Sequence, residues 1–70
     1  MLLLCIGKNA WPELVGKDGK EASTIIESEN KYVQAIIVLD GTPVTQDYLC
    51  DRVRVWVDGN NVVVHPPIIG

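Results

Sequence analysis

The sequence predicts an α+β fold in which one helix packs on a small mixed β-sheet and a long extended loop joins two parallel strands. Three observations support this prediction. Apolar residues recur at helical spacing after Asp18, a β-branched run occupies residues 35–39, and strict alternation of apolar and polar residues begins at Arg52. Because neither a helical pattern nor a tight turn separates the two predicted strands, a long loop is expected between them.

The first half of the chain contains a turn and then a helix. Residues 11–16 predict a turn or short helical turn that buries the tryptophan at its start. Asp18 followed by Glu21 has the form of a capping box, whereas Gly19 in the first turn weakens the helix slightly. We expect the helix to end at residues 30–31. Its apolar stripe consists of Ala22, Ile25 and Ile26.

The second half contains the strands. The β-branched run at residues 35–39 predicts a central strand that is covered on both sides, or at least well buried. Residues 58–61 have the composition of a turn, and residues 62–64 predict a short last strand that the prolines at 66–67 stop from extending. The alternating strand places Val53, Val55 and Val57 on one face and Arg52, Arg54 and Trp56 on the other.

The loop before Arg52, residues 41–50, is predicted to be extended and stiff. Pro43 restricts one of its own backbone torsions and biases Thr42 toward an extended conformation. A long loop without helix or strand in a small domain is either disordered or functional, and this composition is not that of a disordered segment. An extended segment is the shape that protease clefts bind in their substrates.

Two arginines follow this loop on one side of the next strand. Arg52 and Arg54 carry guanidinium groups, which offer several donors in a rigid fork. Thr45 and Asp47 offer acceptors two residues apart within the loop. The arginines are therefore predicted to brace a loop that has no hydrophobic core beneath it.

The size and charge limit the classes of partner. The 70 residues predict one domain, residues 1–70, with a small core. The net charge is −3 and the basic residues do not cluster, which argues against nucleic acid or an anionic membrane as the main partner. No apolar run reaches the roughly 20 residues of a transmembrane helix. The apolar start, residues 1–6, is too short for a signal peptide, so the compartment and the native status of residues 1–4 stay open.

The cysteine count leaves two alternatives. Cys5 and Cys50 allow one disulfide, which would indicate an oxidising or extracellular compartment, or they are two free buried thiols. No metal site is expected, because zinc needs more ligands and His65 is the only histidine. His65 itself is interpreted as a surface residue.

Five separated segments form a combined signature: WPELVGK at residues 11–17, IIVL at 36–39, GTPVT at 41–45, DRVRVWV at 51–57 and PPIIG at 66–70. With these segments the chain, from Cys5 to Gly70, resembles the potato inhibitor I family of serine-protease inhibitors, in particular its disulfide-containing plant members with a role in plant defence. The resemblance implies an inhibitor that is not an enzyme and that needs no cofactor.

The resemblance also assigns the loop residues. The scissile bond would be Gln46–Asp47, with Gln46 entering the S1 pocket of a serine protease. The remaining residues of the protease-binding loop would be Thr42, Pro43, Val44, Thr45 and Tyr48.

The resemblance also implies residues that support the loop. The guanidinium groups of two arginines on the next strand would donate hydrogen bonds to Thr45 and Asp47, and the C-terminal glycine would pack beside the arginines. Family members with cysteines at matching places pair them, which implies a Cys5–Cys50 disulfide. The supporting residues are Arg52, Arg54 and Gly70.

The side chain of Gln46 indicates which classes of serine protease the chain is expected to inhibit. An uncharged amide cannot pair with the carboxylate at the base of a trypsin pocket, and burying it unpaired in a dry apolar slot costs roughly 1–3 kcal/mol. We therefore expect a subtilisin-like protease first, and a chymotrypsin-like or Glu/Gln-preferring protease second. The chain is expected to be a monomer. The alternatives are a non-inhibitory binding module and a storage protein with the same fold.

Overall fold

A computed structural model describes residues 5–70, and the expectations for residues 1–4 lie outside the described residues. A short 3₁₀ turn at Pro12–Leu14 precedes helix α1, Gly19–Glu29. Three strands follow: β1 is Gln34–Leu39, β2 is Arg52–Val57 and β3 is Ile68–Ile69. The sheet has the order β1-β2-β3, with β1 parallel and β3 antiparallel to β2. The prediction of one helix on a small mixed sheet, with a loop between two parallel strands, is confirmed.

Helix α1 begins and ends where the sequence predicted. The side chain of Asp18 caps the first turn and accepts hydrogen bonds from the backbone N–H groups of Lys20 and Glu21 at 3.0 and 3.2 Å. Asn30 follows the last turn, and its backbone N–H donates to the carbonyl of Ile26. The apolar stripe faces the sheet: Ala22 and Ile26 are buried, and Ile25 packs against the core in part.

The core lies between α1 and the face of β2 that carries the valines. Trp11 is fully buried, as predicted, and its indole N–H donates to a carboxylate oxygen of Glu29 at 2.9 Å. This bond satisfies the one polar atom that the indole brings into the interior. The buried hydrophobic residues are Trp11, Leu14, Ala22, Ile26, Val33, Val53, Val55, Val57, Val63 and Ile69.

Strand β1 is an edge strand, so the prediction of a central, well-buried strand is wrong. It pairs with β2 alone, and Ile36, Ile37 and Leu39 are 45%, 42% and 55% exposed. A continuous β-branched run is typical of a strand covered on both faces. Among residues 5–70 no strand pairs with the outer edge of β1, so its apolar side chains remain partly exposed.

Strand β2 is central and its alternation is confirmed, but the last strand lies later than predicted. Residues 62–64 form only single bridges, Val57 with Val63 and Asp18 with Val62. The paired strand is β3, which follows the two prolines instead of preceding them. The turn at 58–61 is present, and its Asp58 side chain accepts two backbone N–H groups. In the described part of the chain, no helix is long and apolar enough to cross a membrane.

Candidate functional site

The loop between β1 and β2 is the most exposed part of the fold. Residues 41–49 are all exposed, and residues 42–49 adopt no helix or strand. Gly41 begins the loop with a φ of +89°, a left-handed conformation that favours glycine. A turn bond from the Thr42 N–H to the Leu39 carbonyl, at 3.0 Å, closes this end. The loop therefore leaves the sheet through a defined turn and then extends into solvent.

Arg52, the first residue of β2, contacts the loop at one point and the C-terminus at another. Its Nη2 donates to the backbone carbonyl of Asp47 at 2.7 Å, and its Nη1 donates to the Asp47 carboxylate at 3.3 Å. Its Nε donates to the carbonyl of Gly70 at 2.6 Å, while the Gly70 N–H donates to the Arg52 carbonyl. The planar guanidinium thus joins the loop and β3 through fixed directions.

Arg54 contacts the other side of the same loop segment. Its Nη2 donates to the hydroxyl of Thr45 at 3.0 Å and lies 3.9 Å from the Asp47 carboxylate. Both arginines lie on the face of β2 opposite the core, because they are two residues apart on one strand. One guanidinium therefore contacts the residue before Gln46 and the other contacts the residue after it.

The environment of Asp47 favours its ionised form. A hydrogen bond with the Thr45 hydroxyl is the largest cause that lowers the pKa of Asp47 below its ordinary value of 3.8. The backbone N–H of Asp47 lowers the pKa further, desolvation raises it in part, and the Arg52 guanidinium adds smaller lowering contributions. The carboxylate is thus negative at neutral pH and remains available to both arginines.

The predicted disulfide is confirmed. Cys5 and Cys50 are bonded, with their Cα atoms 5.0 Å apart. The bond ties the start of the described chain to the end of the loop. Tyr48 lies beside it, with its hydroxyl 3.5 Å from the Cys5 sulfur, and a Cβ built on Gly70 would lie 3.5 Å from the Tyr48 ring.

An open groove of about 700 Å³ lies between the loop, β2 and the C-terminal segment. It explains why the loop needs polar braces, because apolar packing beneath it is sparse. Its lining includes Thr42, Gln46, Tyr48, Arg54, Trp56 and Ile68. Within residues 5–70, no group of three His, Cys, Asp or Glu side chains could bind a metal ion.

The structure brings some of the predicted loop residues together and leaves others in solvent. Thr45 and Asp47 contact the arginines, whereas Pro43, Val44 and Gln46 are exposed. These three side chains are thus accessible to another molecule.

One contact at the base of the loop was missed at the sequence level. His65 Nε2 lies 2.9 Å from the carboxylate of Asp40, the residue directly before Gly41. The two side chains are 25 positions apart, and nothing in their sequence surroundings indicates that they meet. His65 is exposed, as predicted.

Comparisons with known proteins agree with this geometry. The model of the potato inhibitor I family matches residues 6–70. The Glu S. griseus protease inhibitor of Momordica charantia is 54% identical over 66 residues, covering 94% of this chain and 97% of that protein. The trypsin/subtilisin inhibitor of Amaranthus caudatus is 49% identical over 63 residues, covering 90% and 91%.

The fold has close matches among solved structures as well. The crystal structure of the bitter gourd trypsin inhibitor superimposes with a TM-score of 0.94 at 48% identity, covering 97% of this chain and all of that one. This family and these relatives are protease inhibitors, not enzymes. The chain belongs to the potato inhibitor I family.

Proposed function

We propose that this chain inhibits serine proteases by presenting residues 42–48 to the active site as a substrate that is not turned over. The scissile bond is Gln46–Asp47. The observation that carries the proposal is the pair of braces around this bond: Arg54 donates to Thr45 before it, and Arg52 donates to Asp47 after it. The family membership supports the same conclusion.

The braces explain how a cleavable bond stays effectively whole. When the protease serine attacks the Gln46 carbonyl, an ester forms and the Asp47 nitrogen leaves as an amine after taking a proton. Arg52 keeps the Asp47 side in place and Arg54 keeps the Thr45 side in place. The amine therefore stays at high effective concentration beside the ester, and religation competes with hydrolysis. The same stiffness reduces the entropy lost on binding.

The exposed Gln46 side chain favours certain proteases. Subtilisin-like enzymes come first, because a wide and partly wet pocket accepts an amide without leaving it unsatisfied. Chymotrypsin-like and Glu/Gln-preferring enzymes come second. The names of two relatives, a trypsin/subtilisin inhibitor and a Glu S. griseus protease inhibitor, support both groups. One chain, a single domain, occupies one protease and needs no second copy for this task.

Titration of active proteases tests the proposal. Fixed amounts of subtilisin, chymotrypsin, trypsin and a Glu-preferring protease are mixed with increasing amounts of the chain, and residual activity is measured. We expect a stoichiometric loss of subtilisin activity, and mass spectrometry should find a small fraction of chain cut after Gln46. Full activity of every protease in the panel would contradict the proposal and favour a binding or storage role. A cut at another bond would contradict the assigned site.

A further inference from the structure

The two limbs of the loop, before and after Gln46, are held unequally by side chains. After Gln46, Asp47 accepts from Arg52 at two points and the disulfide ties the end of the loop. The leading limb, residues 41–45, has one such contact, from Arg54 to Thr45 at its far end. Within residues 5–70, the side chains of residues 42–44 make no hydrogen bond. The direction of the leading limb therefore depends on how it leaves the sheet.

The leading limb leaves the sheet at the junction of Asp40 and Gly41. The Asp40 N–H donates to the Val57 carbonyl at 2.7 Å, which fixes the backbone at the end of β1. Gly41 follows with a φ of +89°, and a Cβ built on it would meet no atom within 4 Å. Glycine is conformationally permissive, and here no neighbour packs against it, so one turn bond from Thr42 to Leu39 is the only backbone bond across this hinge.

His65 contacts Asp40 directly before this hinge, and it lies on a stiff segment. On one side of His65, the Val64 N–H donates to the Trp56 carbonyl at 2.9 Å. On the other side two prolines restrict the backbone, and the second of them, Pro67, is fully buried. His65 Nε2 lies 2.9 Å from the carboxylate of Asp40. The contact therefore joins the start of the loop to a segment that is itself anchored on β2 and in the core.

The same segment, residues 65–70, also holds the other end of the loop. The carbonyl of Gly70 accepts from Arg52 Nε at 2.6 Å, and the guanidinium of Arg52 donates in turn to the carbonyl of Asp47 at 2.7 Å. One end of the segment thus contacts the residue before the loop, and its other end supports the residue after the scissile bond.

We propose that His65 is a positioning residue for the inhibition proposed above, because its hydrogen bond to Asp40 holds the leading limb and slows the net cleavage of Gln46–Asp47. This inference rests on the proposed function. His65 acts through Asp40, which lies outside residues 42–48, and not through the reacting atoms. When the leading limb shifts, the ester at Gln46 moves away from the amine of Asp47, so religation becomes slower relative to hydrolysis.

The contact forms with either charge state of the imidazole. A neutral ring with its proton on Nε2 donates to the carboxylate, and the imidazolium adds an ion pair. The two side chains are 55% and 50% exposed, so solvent screens the interaction. The loss of such a pair corresponds to about a two- to fivefold change in a rate or equilibrium constant. We expect this change in the cleavage of the loop, because no other side-chain hydrogen bond holds the limb before Thr45.

Incubation with excess subtilisin, followed by mass spectrometry of the chain cut after Gln46, tests the proposal. His65→Ala should be cleaved about two- to fivefold faster than wild type. His65→Gln is the matched control, because its amide nitrogen is as many bonds from the backbone as Nε2 of histidine, and it should restore slow cleavage. Urea unfolding checks that the variants have the same stability. Cleavage of His65→Ala at the wild-type rate, or equally fast cleavage of His65→Gln and His65→Ala, would overturn the proposal.

An Asp40→Ala background tests whether His65 acts through Asp40. Adding His65→Ala to Asp40→Ala should cause no further increase in the cleavage rate, since the shared contact is already lost. An increase as large as the one in wild type would show that His65 acts elsewhere and would reject the proposal.

Amide exchange of Thr42 separates the proposal from the proposed function, because it needs no protease. The Thr42 N–H, which bridges the hinge, should exchange faster in His65→Ala than in wild type or His65→Gln. Unchanged exchange in His65→Ala would reject the role of His65 even if the chain is a strong inhibitor. If wild type does not inhibit subtilisin, the proposed function fails and the role in inhibition fails with it, whatever the exchange of Thr42.

Discussion

At the residue scale, the choice of protease in the proposed mechanism depends on Gln46. Its side chain is exposed at the middle of the loop and makes no hydrogen bond to the braces. Gln46→Lys should strengthen trypsin inhibition about a hundredfold, because an ammonium pairs with the carboxylate at the base of the trypsin pocket. Inhibition constants for trypsin and subtilisin measure the change. Gln46→Glu is the matched control, and a variant with lysine but no gain against trypsin would contradict the assigned bond.

The two arginines make unequal contributions to the brace. Arg52 donates to Asp47 at two points and to Gly70, whereas Arg54 donates only to Thr45 and lies at longer distance from Asp47. Because Arg52→Ala removes three donated bonds and Arg54→Ala removes one, Arg52→Ala should weaken inhibition by about tenfold or more, and by more than Arg54→Ala does.

The difference between the two alanine variants is measured by timed incubation with subtilisin. Residual subtilisin activity gives the inhibition, and mass spectrometry gives the fraction of the chain that is cleaved. Arg52→Lys is the control that retains the charge without the planar fork, and it should restore only part of the inhibition. Equal inhibition and equal cleavage rates in wild type and both alanine variants would show that the loop does not depend on these side chains.

The pH dependence of the brace follows from Asp47. Its pKa in the folded chain lies below the ordinary value of 3.8, so the ionised form is the one that the fold stabilises. That stabilisation is complete above pH 3.8 and is lost as the pH falls through the lower folded value. A carboxyl titration by NMR should therefore have its midpoint below 3.8. Thr45→Val should raise the midpoint, because the hydrogen bond from the Thr45 hydroxyl is the largest cause of the lowered pKa of Asp47. A midpoint at or above 3.8 in the wild type would contradict this account.

At the scale of elements, α1 shows how tertiary contacts reverse an intrinsic preference. Glycine costs about 1 kcal/mol relative to alanine inside a helix, so the sequence suggests that Gly19 weakens α1. In the structure, a Cβ at this position would lie 2.7 Å from a methyl group of Val57 and 2.9 Å from the side-chain oxygen of Asn61. Gly19 is thus the residue that lets the first turn approach the end of β2.

Gly19→Ala should therefore destabilise the chain in spite of alanine's better helix propensity. Overpacking costs about 1–3 kcal/mol, which exceeds or cancels the gain in propensity, so we expect a loss of up to about 2 kcal/mol. Urea unfolding measures it. Lys20→Ala, an exposed position in the same turn, should change stability by less than about 0.5 kcal/mol. A Gly19→Ala variant more stable than wild type would show that Val57 moves away without cost.

The elements that the sequence predicted well are those with a local cause. The cap at Asp18, the alternation from Arg52 and the turn at 58–61 depend on neighbours within a few residues, and all three are present. The loop contacts are also close in sequence, because Arg52 binds Asp47 five residues before it and Arg54 binds Thr45 nine residues before it. The prediction of these contacts succeeded because Thr45 and Asp47, like the two arginines, are two residues apart.

The elements that it missed depend on the number of strands. Nothing local distinguishes a central strand from an edge strand when both faces are apolar, so the sequence predicts a central β1 although the strand lies at the edge. Residues 62–64 have strand composition but form only single bridges. The continuous antiparallel pairing with β2 begins only after the two prolines, at β3. The contact between Asp40 and His65 is likewise set by the path of the chain and by no motif.

At the scale of the whole molecule, the start of the described chain is tied down by polar contacts on one side of α1. Lys8 forms ion pairs with Glu13 and Glu29. Both contacts raise the pKa of Lys8, and the hydrogen bond to Glu13 contributes most. The side chain of Asn30 donates to the carbonyls of Ile6 and Lys8. Because these contacts are independent of the disulfide, the N-terminal segment should remain in place when the Cys5–Cys50 bond is broken.

The disulfide should therefore act mainly through the unfolded chain. It closes a separation of 45 residues, for which the chain-entropy model gives about 4 kcal/mol of stabilisation. A Cys5→Ser/Cys50→Ser double variant should keep the native fold at room temperature while losing up to that amount in urea unfolding. Reduced wild type is the control and should unfold at the same urea concentration as the double variant. If the oxidised wild type and the double variant unfold at the same urea concentration, the disulfide does not stabilise the fold by restricting the unfolded chain. The disulfide would then act only by holding the end of the loop at Cys50. Its removal should in that case speed cleavage after Gln46 without changing the free energy of unfolding.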